Sequence, residues 1–167
     1  GTPRRSVTSE IAIASEEAKA PRIATTSFWV SRRCATLAAV VGVEVLSLQA
    51  WYGGQLRPGQ EVFLIALPIY HVAALAVGCL LGWAIGARLV LVANPRDLPA
   101  LVRDFVREHP TVFGGVTTLY DALLRAPGIE QVDFSRLRLS MEGGAALHRA
   151  TAQRWLERTG CTLLESY

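Results

Sequence analysis

From Glu61 to Arg88 the chain reads EVFLIALPIYHVAALAVGCLLGWAIGAR, and residues 62–87 between those two charges contain no Asp, Glu, Lys or Arg. An uncharged stretch of that length has to be buried, in protein or in lipid. A β-rich run, Val62–Leu67, is broken by Pro68; Tyr70 and His71 follow, and then an apolar segment punctuated by Gly78, Gly82 and Gly86. One reading is a strand and a helix in the core of an α/β domain. The other is a small membrane-anchored protein spanning about residues 69–87. A span needs about 20 apolar residues in one continuous helix. Pro68 disfavours helical backbone at Leu67, and what remains, Ile69–Ala87, barely reaches that length and includes Tyr70, His71 and three glycines. The strand-and-helix reading is preferred, and no transmembrane span is expected.

Composition supports a buried piece of something larger. Of 167 residues 51% are hydrophobic and only 19% charged, and the mean hydropathy of +0.30 is high for a free-standing domain. The net charge of +3 is concentrated at the start, in Arg4, Arg5, Lys19, Arg22, Arg32 and Arg33. Such a cluster suits nucleic acid or anionic lipid. With only Phe28 and Trp29 as aromatics beside it, a solvated tail is the better reading, and no nucleic-acid partner is expected. Cys34, Cys79 and Cys161 are odd in number, far apart and in no C-x-x-C pair. They argue against a disulfide framework or a zinc site and fit a reducing compartment. Residues 1–20 have no apolar signal-peptide core, so the expected location is cytoplasmic.

Residues 1–27 show no sustained period. An Ala/Val/Leu-rich run from Cys34 to Tyr52 reads as a buried helix stopped by Gly53-Gly54. Beyond it the punctuation is regular. Strands are expected at Val62–Leu67, Arg88–Ala93, Thr111–Phe113, Leu137–Met141 and Thr162–Glu165, and helices at His71–Ile85, from Asp97 to His109, at Thr117–Ala126 and at Leu147–Thr159. In the second of these helices Leu98, Leu101, Val102, Phe105 and Val106 form one apolar face, with Asp97 as N-cap and Pro99 in the first turn. Strands alternating with helices imply βαβ units and a mainly parallel sheet, an α/β fold.

Ligands of such sheets bind beyond the carboxyl ends of the strands. The segments there are Pro68–His71, Gly114–Thr118, Glu142–Ala145 and Glu165–Tyr167. Each has an ordinary structural explanation. His71 can cap the helix that follows it, Gly114-Gly115 can allow close packing, and Gly143-Gly144 can be a turn. No hydroxyl has a base beside it in sequence, and no H-x-E, H-E-x-x-H or carboxylate cluster indicates a metal.

Three segments together carry more. LPIYHVAALAVGCLLGWAIGARLVLVANPRDLPALV, TVFGGVTTLYDALL and VDFSRLRLSMEGGAALHRATAQRWLERTGCTLLESY resemble bacterial long-chain fatty acid–CoA ligases, AMP-forming enzymes of the adenylate-forming superfamily. The resemblance runs from about Gln49 to Tyr167. It implies a partial N-terminal (AMP-binding) domain over residues 46–167, with residues 1–45 an atypical, poorly ordered or non-native segment. It also implies a two-step reaction. Fatty acid and ATP give an acyl-adenylate and pyrophosphate, and coenzyme A then takes the acyl group, with Mg²⁺ as cofactor. By the same resemblance Tyr70, His71, Gly115, Val116 and Thr118 lie at the fatty acid. Gly143, Gly144, Ala145, Glu165, Ser166 and Tyr167 lie at the nucleotide, the tyrosine packing on adenine. Association with the periphery of the inner membrane is a further expectation.

The departures from that pattern are specific. The chain stops at Tyr167, before the family's Gly-x-Thr-Glu with its Mg²⁺ ligand, and neither the ribose-binding Asp nor the catalytic Lys is in the sequence. No catalytic or metal-binding residue is therefore assigned. Where the Gly-rich phosphate loop should fall, Thr25–Arg33 reads TTSFWVSRR, and Phe28 and Trp29 are too bulky for backbone N–H groups to cradle a polyphosphate. A shifted reading frame over residues 1–45 would explain this. Glu142 puts a carboxyl group beside the expected nucleotide. The chain alone is expected to lack ligase activity, with a non-catalytic fatty-acid-binding remnant, using His71 and Gly115, as the alternative.

Overall fold

A computed structural model describes residue 39 and residues 41–144 and 146–166, which belong to one compact unit, Leu37–Tyr167. The expectations for residues 1–27, for the phosphate-loop position Thr25–Arg33, and for Ala145 and Tyr167 lie outside the described residues.

Five strands form one sheet: β1 (Val62–Ile65), β2 (Arg88–Leu91), β3 (Val112–Gly115), β4 (Leu139–Gly143) and β5 (Leu163–Ser166). Their spatial order is β2-β1-β3-β4-β5 and every pairing is parallel. The helices are α1 (residues 41–52), α2 (Ala74–Leu81 continuing through Gly82–Ala84), α3 (Leu98–Glu108), α4 (Thr117–Leu124) and α5 (Arg149–Thr159). This is the expected α/β architecture.

The order reverses once. From β1 the chain crosses to β2, then returns past β1 to β3 and continues outward to β4 and β5. Parallel crossovers are right-handed, so a reversal of direction must put the connecting helices on the opposite face. The packing agrees. Phe63, Ile65, Val112 and Met141 share a core with Cys79 and Leu81 of α2, and with Tyr52 at the end of α1. Leu64 and Phe113 share the other core with Leu101 and Phe105 of α3, Tyr120 of α4 and Trp155 of α5. Their rings interlock edge to face, Phe105 on Phe113 at 4.9 Å and Tyr120 on Trp155 at 4.7 Å between centroids. Trp155 Nε1 donates to Ser140 Oγ at 3.0 Å, which satisfies its one polar atom in a fully buried place.

Asp97 caps α3 as expected, its Oδ1 accepting from the Ala100 N–H at 3.0 Å. The strand limits differ from the sequence reading in a consistent way. Gly114, Gly115, Glu142 and Gly143, expected in loops, are the last residues of β3 and β4, where Gly114 pairs with Met141 and Gly115 with Glu142. The helix expected at His71–Ile85 has π geometry over Ala74–Leu81. Its Gly82 lies so close to the sheet that a Cβ there would come within 2.5 Å of Leu89 Cδ2. Among the described residues no helix is long and apolar enough to cross a membrane.

The amino ends of the strands are tied by one buried carboxylate. Glu61 Oε1 accepts from the Arg57 N–H and from Arg138 Nη2, each at 2.5 Å. Its Oε2 accepts from the Thr111 hydroxyl, whose oxygen takes the Val62 N–H at 2.9 Å. Burial alone would raise the Glu61 carboxyl, but these donors and the Arg138 charge outweigh it and hold the group below the ordinary carboxylate range.

Candidate functional site

Where a parallel sheet reverses its order, the two crossovers leave on opposite faces, and a crevice opens beyond the carboxyl ends of the strands that flank the switch. Here those strands are β1 and β3, and a cavity of about 50 Å³ lies there. Its walls are Ile65 and Leu67 from β1 and its exit, Val77 and Gly78 from α2, and Gly114 and Met141 from β3 and β4. Gly115, Glu142, Gly143 and Ser166 close the sheet side. Among the described residues the lining is apolar apart from Ser166 and Glu142, and Glu142 is the one ionisable residue in it.

A second cavity, about 450 Å³, opens at the same end of the sheet. Pro68, Arg96, Leu98, Val116, Thr118 and Leu119 are among its walls. The residues expected at an acid substrate are thus divided. Gly115 borders the first cavity, Val116 and Thr118 the second, and Tyr70 and His71 neither. Tyr70 is 89% exposed, and His71 is exposed with its Nδ1 accepting from the Ala73 N–H at 3.3 Å. That contact is the helix-capping role open to any histidine placed there.

The residues expected at a nucleotide are closer together. Gly143 ends β4 beside Ser166 of β5. A Cβ on Gly143 would meet the Ser166 carbonyl oxygen at 3.1 Å, tighter than an ordinary contact, so the neighbouring backbone favours glycine. Gly144 follows at φ 92°, with no atom within 4 Å of where a Cβ would stand, and so offers an open, flat surface. Glu165 Oε1 accepts from the Leu147 N–H at 2.9 Å and thereby anchors the loop between β4 and α5. Ser166 Oγ donates to the Glu142 carbonyl at 3.0 Å. Tyr52 packs against this corner, its hydroxyl raised by burial against a hydrogen bond with Ser166. Tyr52 is the residue that sequence reading missed. It ends an uninformative apolar run, and only the return of α1 to β5 brings it here.

Glu142 adjoins Gly143 in β4 and is fully buried. Its carboxyl group turns to the start of α4, where Oε1 accepts from the Thr117 hydroxyl at 3.0 Å and the Thr117 N–H at 3.3 Å. An acidic group suits the amino end of a helix. Beside it the Tyr120 hydroxyl lies 2.8 Å from the Met141 carbonyl and 3.1 Å from that of Phe113, bridging β3 and β4. Burial pushes that hydroxyl well above the ordinary tyrosine value. Among the described residues no group of three His, Cys, Asp or Glu side chains is placed to hold a metal ion.

Comparison with known proteins is consistent along the chain. The family model described as "AMP-binding enzyme" matches residues 34–167. A long-chain-fatty-acid–CoA ligase of Escherichia coli O157:H7 is 43% identical over 120 residues, which are 72% of this chain and 21% of that protein. The crystal structure of apo MatB from Rhodopseudomonas palustris superposes with a TM-score of 0.65 at 26% identity, over 76% of this chain and 24% of that one. The anthranilate CoA ligase AuaEII, in complex with anthranoyl-AMP, superposes equally well, with a TM-score of 0.65 at 27% identity over 73% of this chain and 24% of that one. The chain spans about a fifth of the length of the curated relatives it matches.

Proposed function

The chain belongs to the AMP-binding enzyme family, and on that premise we propose that it is part of the adenylate-forming domain of a long-chain fatty acid–CoA ligase. The observation that carries the reading is the apolar cavity at the β1/β3 switch point, beside the Gly143–Gly144 turn. An acyl group and a nucleotide that must react with each other need an apolar recess adjoining a flat, open backbone surface. The 43% identity to a long-chain-fatty-acid–CoA ligase over 120 residues supports the substrate class.

In this reading the fatty acid enters between α2 and the carboxyl ends of β1 and β3, with Gly115 at its carboxyl end and Tyr70, His71, Val116 and Thr118 around its approach. AMP lies over Gly143, Gly144 and Ala145 with Glu165, Ser166 and Tyr167 at its edge. ATP and coenzyme A are the co-substrates, with Mg²⁺, and the products are acyl-CoA, AMP and pyrophosphate. The location is cytoplasmic, at the periphery of the inner membrane. The work of these residues is to bind and orient the substrates.

We further propose that the 167-residue chain by itself does not form acyl-CoA. It spans a fifth of the relatives' length, and Phe28 and Trp29 stand where a phosphate loop needs glycines. The test is to incubate the purified chain with palmitate, ATP, Mg²⁺ and coenzyme A and follow palmitoyl-CoA by mass spectrometry. No product above the protein-free control is expected, and a steady enzyme-dependent rate would overturn the proposal.

A further inference from the structure

Gly114 lies inside β3, and a glycine within a strand usually marks a bulge, a bend, or a place where another backbone or a ligand comes close. The first three do not apply here. Gly114 pairs in register with Ile65 on one side and with Met141 on the other, so there is no bulge. It is not among the positive-φ glycines, so the backbone does not demand it. Among the described residues the one heavy atom within 4 Å of a Cβ placed there is Met141 Cε, at 3.9 Å, an ordinary side-chain contact. The fold would accept a side chain at this position, and its absence leaves a notch. Parallel register puts Ile65, Gly114 and Met141 in one row, on the face of the sheet that packs against α2, and all three border the apolar cavity of about 50 Å³. Neighbouring strands are about 4.8 Å apart, so the gap between Ile65 and Met141 is the width of the one side chain that is missing. Phe63 and Val112, paired two residues earlier, lie deeper along the same wall. Gly78 of α2 borders the gap from the other side, close enough that a Cβ on it would come 3.0 Å from Ile65 Cδ1. The cavity has room for roughly two groups of methylene size, taking about 30 Å³ for each as for a water molecule. It is a slot one chain wide.

We propose that Gly114 is a specificity-determining residue that admits an unbranched acyl chain and rejects one branched near its carboxyl group, on the reading that this cavity takes the acyl part of an acid substrate whose carboxyl end is at Gly115. Gly115 is the next residue of the strand, so the first carbons of the chain lie over Gly114. A methylene there touches Ile65 on one side and Met141 on the other, and a methyl branch has to overlap one of them. One methylene too many in an apolar pocket is worth about tenfold to two-hundredfold in discrimination. A straight fatty acid passes the slot. No covalent step is involved.

The full chain, ¹⁵N-labelled, can be titrated with octanoate, 2,2-dimethyloctanoate and 3,3-dimethyloctanoate while the amide signals of Gly114, Gly115 and Gly143 are followed by NMR. At least one branched acid is expected to bind about tenfold or more weakly than octanoate. If both fall short of that, the slot is overturned and the acid site stands. Gly114→Ala fills the notch, and should weaken octanoate about tenfold or more without lowering the urea midpoint. Octanoate binding unchanged in a folded Gly114→Ala overturns the role of Gly114. If that variant does not fold, Met141→Ala decides, because it removes one flank of the slot and should cut the penalty on the branched acid to below about threefold. A penalty that survives Met141→Ala overturns the proposal. Absence of any shift with all three acids overturns both the slot and the reading of the cavity as an acid site.

Discussion

Two glutamates are buried in this sheet, one at each end of the strands, and they are held in opposite ways. Glu61, just before β1, fills both its oxygens, with donors from Arg57, Arg138 and Thr111. Glu142, near the end of β4, fills one oxygen from Thr117, and its other oxygen has no partner among the described residues. A saturated carboxylate with a guanidinium beside it serves the fold. A half-saturated one leaves a buried acceptor without a donor among the described residues, which weakens the fold. The hydrogen-bond network at the amino end of the sheet is complete around Glu61, and the one at the carboxyl end is not complete around Glu142 among the described residues.

The contrast can be broken by mutation. Glu61→Ala should cost about 3 kcal/mol in urea unfolding of the full chain, at the lower end for a broken buried pair because Arg138 keeps some contact with water. A loss below about 1 kcal/mol would mean that the network is ornamental. The acid dependence of stability should trace the same group. Its folded pKa lies below its unfolded value, so its contribution is complete above the ordinary glutamate range, near 4.3, and is lost as pH falls through the folded value. Glu108 and Asp133 are also held low, at the surface, by Arg107 and Arg88 and by Ser135 respectively. The difference between wild type and Glu61→Gln therefore isolates Glu61, and the urea midpoint of the variant should decline less steeply below pH 4. The smallest effect belongs to the other end. Glu142→Gln should change stability by less than about 1 kcal/mol, since the amide oxygen can still take the Thr117 donors. A loss as large as that of Glu61→Ala would place Glu142 with the fold.

Much of this architecture is legible in the sequence because the strands are short, apolar and separated by clear breakers. The face of α3 could be read from Leu98, Leu101, Val102 and Phe105, and its cap from Asp97. What could not be read depends on partners distant in the chain. Glycine is a poor strand former, so Gly114, Gly115 and Gly143 read as loop. They are strand because they pair in register with β4 and β5, and at Gly143 the Ser166 carbonyl lies so close that a Cβ would crowd it. The order β2-β1-β3 leaves no local trace, and with it goes the position of the switch point. Tyr70 and His71 stand out as the most reactive pair in an apolar stretch, yet the turn after Pro68 sends them outward to solvent. Glu142 was visible as an oddity of composition, but the direction of its side chain follows from the place of α4, which only the folded chain supplies.

The single reversal of strand order also sets a timetable. β1 sits between two neighbours that both come later in the chain, and the bond from the Val62 N–H to Thr111 spans 49 residues. As the chain emerges from the ribosome, β1 can pair with β2 early, but its other edge stays bare until β3 arrives, roughly a few seconds later at ordinary elongation rates. During that interval an apolar strand edge is bare, in a unit where Val72, Leu75 and Trp83 remain exposed even when it is finished. A bare edge of this kind recruits foreign strands. The same reversal that opens the crevice thus leaves β1 half-paired until β3 has been made.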